Sequence, residues 1–202
     1  PGAVDVPESV LYRDMPEPKI VPSVDDFSGD IETDTRGRKY LNLGHYSPAQ
    51  KPAAMQAAKA FKAVALSAPE ADAITQTDNA KMNISNLRDA IEGLLPEDAA
   101  SRAAAIPSIK LGRFLQTDDS RASWGAYRLA AIQALRAAAG SKGLRINQAE
   151  IAASVANDIP QLTDTYATAM KRLERLEKML DNASDAVMVR DRSGLLNPNK
   201  KP

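Results

Sequence analysis

Few side chains in this sequence belong to the types that carry out covalent or metal chemistry. The 202 residues include one histidine, His45, and no cysteine. A chain without cysteine forms no disulfide, no thiolate metal site and no cysteine nucleophile. His45 lies in the turn-like stretch 43–48, where the sequence supplies neither a second metal ligand nor a nucleophile. We therefore interpret His45 as a packing or surface residue.

The other polar motifs each have a structural interpretation. Residues 140–143 read GSKG but lack the spacing and the preceding strand of a phosphate-binding loop, so we predict a helix–helix turn. The acidic cluster over 25–34 does not match the spacing of a calcium loop. Two interpretations remain: a solvated acidic segment, or a contact with a cation or a basic partner. Two acidic pairs, at 97–98 and 118–119, lie where helices are expected to begin, and acids stabilise helix N-termini. The sequence therefore predicts no catalytic, metal or cofactor-binding residue, and a protein that is not an enzyme.

The single tryptophan allows two interpretations. Trp124 lies between Arg121 and Arg128, an arrangement in which an aromatic ring stacks on a base or a sugar. The alternative, which we prefer, is one large core residue in an alanine-rich helix. The chain has 26 basic and 26 acidic residues, and this balance argues against nucleic-acid binding by the whole domain. Proximity to DNA without sequence-specific binding stays open.

The composition changes near residue 52. Residues 1–52 contain 7 of the 13 prolines and have 6 basic and 9 acidic residues, a net charge of −3. Proline fixes φ and pushes the preceding residue towards extended conformations. We therefore predict an extended, Pro-rich, acidic N-terminal arm over 1–52 that docks onto a neighbour. Its aromatic anchors at the predicted interface are Tyr12, Phe27 and Tyr40.

The rest of the chain predicts a helical body. Alanine, the best helix former, occurs 35 times, and no segment reads convincingly as a sheet. The expected fold is all-α, a helical bundle over 53–186 with the N-terminal arm and a short C-terminal tail over 187–202. An alanine-rich core buries little apolar area for each residue, so we expect neighbouring copies to complete the burial.

The strongest periodic pattern lies in the last predicted helix, over about 160–181. Its apolar residues follow one another at spacings of 4, 3, 4, 3 and 4, which is an a/d heptad pattern. These residues are Leu162, Tyr166, Ala169, Leu173, Leu176 and Leu180. Such a row either packs within its own domain or contacts another subunit. Under the second interpretation Leu162, Tyr166, Leu173, Leu176 and Leu180 form an oligomer or partner interface.

Targeting signals are not evident in the sequence. The first residues have neither a basic start nor an apolar run, so they do not resemble a secretory signal. The longest apolar runs are short alanine stretches, far below the roughly 20 residues that a membrane-spanning helix needs. Membrane contact is therefore expected only from an assembly.

Residues 79–181 resemble a helical domain of tailed-phage virion proteins, especially internal or DNA-ejection proteins. The resemblance is carried by packing and capping features in a fixed order. These are Pro107, Trp124-Gly125-Ala126-Tyr127-Arg128, the turn at Gly140 to Gly143, Asn147-Gln148-Ala149-Glu150-Ile151, Ile159-Pro160, Asp164, Lys171, Leu173 and Leu176. The pattern includes no catalytic residue, and the Pro-rich arm is not part of it.

This resemblance implies a non-enzymatic structural virion protein. The expected partners are further copies of the chain, in a homo-oligomer or ring, and other virion or tail proteins. The expected role is an ejection component that helps form the conduit for the genome, located in the virion and then in the host envelope. One alternative is a cytoplasmic helical adaptor or regulator that binds one partner through its C-terminal helix. Another is a helical bundle that binds a small ligand, with Trp124 in its pocket.

Overall fold

The computed structural model describes residues 23–106, 108–142, 149, 152–153 and 157–189. This part of the chain is mostly helical and includes one small three-stranded sheet. The predicted helical bundle is therefore confirmed in coarse form. The sheet was not predicted, and the all-α class needs that correction.

The sheet lies near the beginning of the described chain. Strand β1 spans Ile31–Thr33, β2 spans Lys39–Asn42 and β3 spans Val64–Leu66. The central strand β2 pairs antiparallel with β1 and parallel with β3. The turn between β1 and β2 contains Gly37 at a φ of 75°, a left-handed conformation that glycine adopts without strain.

Short helices complete this first layer. A 3-10 helix spans Val24–Asp30, another spans Leu43–His45, and helix α1 spans Lys51–Ala60 between β2 and β3. Their apolar side chains form a small cluster with the sheet. Its buried members are Phe27, Leu41, Leu43, Ala54, Ala57 and Ala58.

The predicted N-terminal arm is therefore corrected over residues 23–52. These residues form helical turns, two strands and the start of α1, because their apolar side chains bury one another against α1. The predicted boundary at residue 52 falls inside α1, where Pro52 occupies the first helical turn and costs no hydrogen bond. Residues 1–22, including Tyr12, lie outside the described residues.

Three long helices form the second layer. Helix α2 spans Ala68–Gly93, the shorter α3 spans Glu97–Ala105, α4 spans Asp118–Gly140 and α5 spans Tyr166–Met188. Side chains cap each long helix: Ser67 forms a capping box on α2, and the hydroxyls of Thr117 and Thr165 accept hydrogen bonds at the starts of α4 and α5. Helix α5 continues to Met188, so the predicted tail begins later than residue 187.

Helix α2 packs against both α4 and α5, and its apolar residues form the centre of the main core. Ile84 and Leu87 of α2, Leu135 of α4 and Leu173 of α5 are fully buried there. The connection before α4 is fastened to the segment before α5, since the backbone N–H of Gly112 donates to the carbonyl oxygen of Leu162 at 2.9 Å. The bundle thus has α2 at its centre.

Candidate functional site

The leucines of α5 that were predicted to contact another subunit lie in the core of this chain. Leu173, Leu176 and Leu180 are 0%, 1% and 0% exposed. They pack within the domain, which is the other interpretation that the heptad spacing allowed. The structure therefore corrects the predicted interface at these positions. A partner that binds α5 through the same residues, as the adaptor hypothesis requires, would have to open the core.

Two aromatic residues of the predicted interface are buried as well. Phe27 is 4% exposed and meets the ring of Tyr46 edge to face, with the centroids 5.3 Å apart. Tyr40 is 4% exposed, and its hydroxyl donates to a carboxylate oxygen of Glu32 at 2.7 Å. Both positions are corrected from interface to core, because Phe27 packs in the small cluster of the sheet layer and Tyr40 packs in the main core.

The two remaining predicted interface residues lie at the start of α5. Leu162 is half-buried before the helix, and its carbonyl oxygen accepts the hydrogen bond from Gly112. Tyr166 is half-buried, and its hydroxyl donates to Glu92 at 3.3 Å. Both residues pack against the edge of the main core, which also contains the buried leucines.

A polar cluster joins the turn between β1 and β2 to the last turns of α5. The Asp34 side chain is fully buried, accepts hydrogen bonds from the backbone of Arg36 and Arg38, and pairs with the Arg38 guanidinium at 2.6 Å. Arg38 also donates to Ser184 and pairs with Asp185. Arg36 pairs with Asp185 at 2.7 Å, and its hydrogen bond holds the pKa of that carboxyl below its usual value. The cluster fastens the sheet layer to the bundle.

The same turn contacts α2, and α2 in turn is paired with α5. The Thr35 hydroxyl donates to Asp78 at 2.6 Å, and its backbone N–H donates to the same carboxylate at 3.1 Å. Lys81, three residues further along α2, pairs with Asp181 at 2.6 Å. These charged groups are paired with one another, so we interpret the cluster as a structural link between the sheet layer, α2 and α5.

Tyr40 makes the stability of the sheet layer sensitive to alkaline pH. Burial, helped by the hydrogen bond to Glu32, raises the pKa of Tyr40 to about 12. A tyrosine in the unfolded chain titrates near 10. The folded state therefore keeps a proton that the unfolded state loses, and this contribution to stability is complete below pH ~10 and disappears as the pH rises to ~12.

We expect Tyr40→Phe to flatten that dependence, because phenylalanine has no proton to lose. The measurement is the free energy of urea unfolding for both proteins across this pH range. The wild type should lose more stability than Tyr40→Phe as the pH rises, and equal slopes would contradict the assignment.

One side of α4 is exposed in the part of the chain that the structure describes. Six residues of α4 form its outer face: Asp119, Ala122, Ala126, Leu129, Gln133 and Arg136. All six are exposed, and Leu129 is 55% exposed. Successive spacings of 3, 4, 3, 4 and 3 place them in one row along the helix.

The outer face lies opposite the side that packs on α2. That inner side is made of Trp124, Ala131, Leu135 and Ala138, all buried. The burial of Trp124, 4% exposed, agrees with its interpretation as a core residue. The spacing in the sequence predicts one apolar face with Trp124, Tyr127, Ala131, Leu135 and Ala138, and the structure confirms four of these as buried but leaves Tyr127 41% exposed. The outer row was not predicted, because alanine occurs on both sides of α4 and gives little contrast between them.

Two surface depressions border α4. One has a volume of about 250 Å³ and lies between α2 and α4, where Tyr127, 41% exposed, forms part of its wall. The other, of about 500 Å³, lies between the start of α2 and the end of α4. Neither is lined by Trp124.

Two further kinds of feature are absent from the described part of the chain. No group of three His, Cys, Asp or Glu residues there is arranged to hold a metal ion. None of the helices described is both long and apolar enough to cross a membrane.

Comparisons of this chain with known proteins found no match. No protein-family model matches the chain. No curated protein and no solved structure matches it either.

Proposed function

We propose that this protein is a non-enzymatic structural component of a homo-oligomeric assembly. The observation that carries the proposal is the outer face of α4. It is a row of six exposed residues with heptad spacing, in which two alanines and a leucine follow one another, on a helix whose other side is buried against α2. Because these six residues are exposed in the part of the chain that the structure describes, the alanines and Leu129 are accessible to a second helix.

The composition of this face suits contact with another helix. Ala122 and Ala126 are small enough to let a second helix approach closely, and Leu129 supplies apolar area. Burial of apolar surface contributes roughly 25 cal/mol for each Å². The charged residues Asp119 and Arg136 stand at the two ends of the row, where they can pair with a partner without being buried at its centre.

The narrower proposal is that the assembly belongs to a tailed-phage virion. Its support is the resemblance of residues 79–181 to the helical domains of internal and ejection proteins, a range that includes α4 and the outer face. In this role several copies, together with other virion or tail proteins, help form the conduit through which the genome leaves the particle. The protein would be found in the virion first and in the host envelope after ejection.

Self-association is tested by light scattering on the purified full chain. Concentrations from about 1 to about 100 μM cover the affinities expected of small interfaces. We expect a mass above the 21.7 kDa of one chain, rising with concentration. A mass of 21.7 kDa throughout would contradict the proposed oligomer.

The virion role is tested on particles of a phage whose genome encodes this chain. Mass spectrometry of purified particles, before and after DNA release is triggered, measures whether the protein is present and whether it leaves. We expect it in intact particles and depleted from emptied ones. Its absence from intact particles would remove the virion role while leaving the oligomer untouched.

A further inference from the structure

We propose that the outer face of α4 pairs with the same face of a second copy, with the two helices antiparallel and related by a two-fold axis. This inference rests on the proposed homo-oligomer and names one contact within it, which joins two copies. A two-fold contact uses one patch twice, so that patch must be complementary to itself. The outer face meets this requirement in both shape and charge.

The register follows from pairing large residues with small ones. In an antiparallel pair whose axis passes between Tyr127 and Arg128, positions equally far from that midpoint face each other. Leu129 then lies opposite Ala126 of the second copy. Gln133 lies opposite Ala122 of the second copy. Each longer side chain therefore meets an alanine, and the two-fold axis repeats both contacts.

The same register pairs the charges. Asp119 lies opposite Arg136 of the second copy, and the axis makes this ion pair occur twice, once at each end of the contact. Within the part of the chain that the structure describes, neither Asp119 nor Arg136 has an ion-pair partner. Exposed pairs add little affinity, about 0–1 kcal/mol each, but they discriminate between orientations.

Other arrangements lose this complementarity. A parallel pair places Arg136 against Arg136 and Asp119 against Asp119, which are repulsive contacts. Sliding one antiparallel helix by a heptad in one direction places Arg136 opposite Ala126, and in the other direction it places Leu129 opposite Asp119. The antiparallel register centred between residues 127 and 128 is therefore the one that the residues favour.

Disulfide trapping tests both the contact and its orientation, since the chain has no cysteine of its own. Ala122→Cys and Gln133→Cys are prepared separately as full chains, one with an affinity tag, then mixed and mildly oxidised. In the proposed pair these two positions face each other. Residues 122 of the two copies, by contrast, are separated by 11 residues along the helix, about 16 Å, which is beyond the ~7 Å that a disulfide allows between Cα atoms.

We expect the mixture to form the mixed disulfide at least 10-fold faster than either variant forms a disulfide with itself. The matched control is Met82→Cys on α2, because Met82 is 57% exposed and lies away from the outer face. Mixed with Gln133→Cys, it measures random collision. Unchanged circular dichroism shows that each variant is folded.

Three outcomes would overturn the pairing. Rapid disulfide formation by Ala122→Cys alone would indicate a parallel pair. A mixture no faster than the Met82→Cys control would show that the outer faces do not meet. A photo-crosslinker attached at Gln133→Cys identifies what contacts the outer face. Capture of residues 1–22 or of an unrelated protein would show that something other than a second outer face binds there. Capture of residues 119–136 supports the pair.

Failure of the pairing is distinguishable from failure of the proposed function. If light scattering shows an oligomer but the α4 positions do not crosslink, only the proposed pairing is contradicted, because another surface then forms the assembly. A monomer at every concentration in light scattering would contradict both the pairing and the proposed homo-oligomer.

Discussion

Replacing Arg38 with alanine is expected to lower the free energy of unfolding by about 3 kcal/mol. The side chain of Asp34 is 0% exposed, and its charge is balanced by the Arg38 guanidinium at 2.6 Å. Without that cation a carboxylate stays buried and unpaired, which costs more than the loss of one hydrogen bond. The substitution also removes the hydrogen bond to Ser184 and the ion pair with Asp185. Urea unfolding followed by circular dichroism measures the change.

Arg36 offers a matched control in the same turn. Its side chain is 43% exposed and pairs with Asp185, which is equally exposed. Exposed ion pairs contribute about 0–1 kcal/mol, so Arg36→Ala should have a small effect. Equal losses for the two alanine variants would contradict the importance given to the buried carboxylate.

A second substitution tests the cause. In the double variant Asp34→Asn with Arg38→Ala, the side chain at position 34 is neutral but keeps the oxygen that accepts from the backbone of residues 36 and 38. The double variant should be more stable than Arg38→Ala alone by about 1 kcal/mol or more. A double variant as unstable as Arg38→Ala would show that the buried charge is not what destabilises the protein.

Leu173→Ala is expected to lower the free energy of unfolding by about 2–5 kcal/mol. Leu173 is 0% exposed at the centre of the main core, where α5 packs against α2. Removing its side chain loses apolar burial and leaves a cavity that the surrounding helices fill incompletely. For a chain of this length the thermal midpoint should fall by several degrees, roughly 2–4 °C for each kcal/mol.

Leu129→Ala is the matched control, with the same chemical change on a side chain that is 55% exposed. At low protein concentration its stability should stay within about 0.5 kcal/mol of the wild type. Self-association, in contrast, should weaken, because Leu129 supplies the largest apolar side chain of the outer face. If Leu173→Ala were as mild as Leu129→Ala, the packing described for α5 would be wrong.

The long helices were predictable because aliphatic residues recur along them at helical spacing. The row from Leu173 to Leu180 identified α5, and the pair at 118–119 identified the start of α4. Periodicity shows which side of a helix is apolar but not what covers it. The choice between core and interface for Leu173 therefore needed the structure.

The sheet was not predictable by the same reasoning. Its strands have three or four residues, too few to establish a period of two. The prolines of residues 1–52 also favoured the prediction of an extended arm. Pro52, however, lies in the first turn of α1, where proline is accommodated. Burial of Phe27 and Tyr40 depends on tertiary contacts with partners distant in sequence, and no local pattern reveals those partners.

The outer face of α4 was missed for a different reason. Its six residues are two alanines, one leucine, a glutamine, an aspartate and an arginine, while the inner side of the same helix is also rich in alanine. Alanine is compatible with both core and surface, so the two sides differ little in hydropathy. The packing of the inner side on α2 shows that, among the residues that the structure describes, the outer side is exposed.

The link between Arg38 and Asp185 has a consequence for the order of events during synthesis. The two residues are separated by 147 positions along the chain. On the ribosome, Asp34 and Arg38 emerge long before the end of α5, so the sheet layer is synthesised well before this contact can form. The contact is made only after α5 has been synthesised, and a chain truncated before residue 184 lacks Ser184 and Asp185, the partners of Arg38.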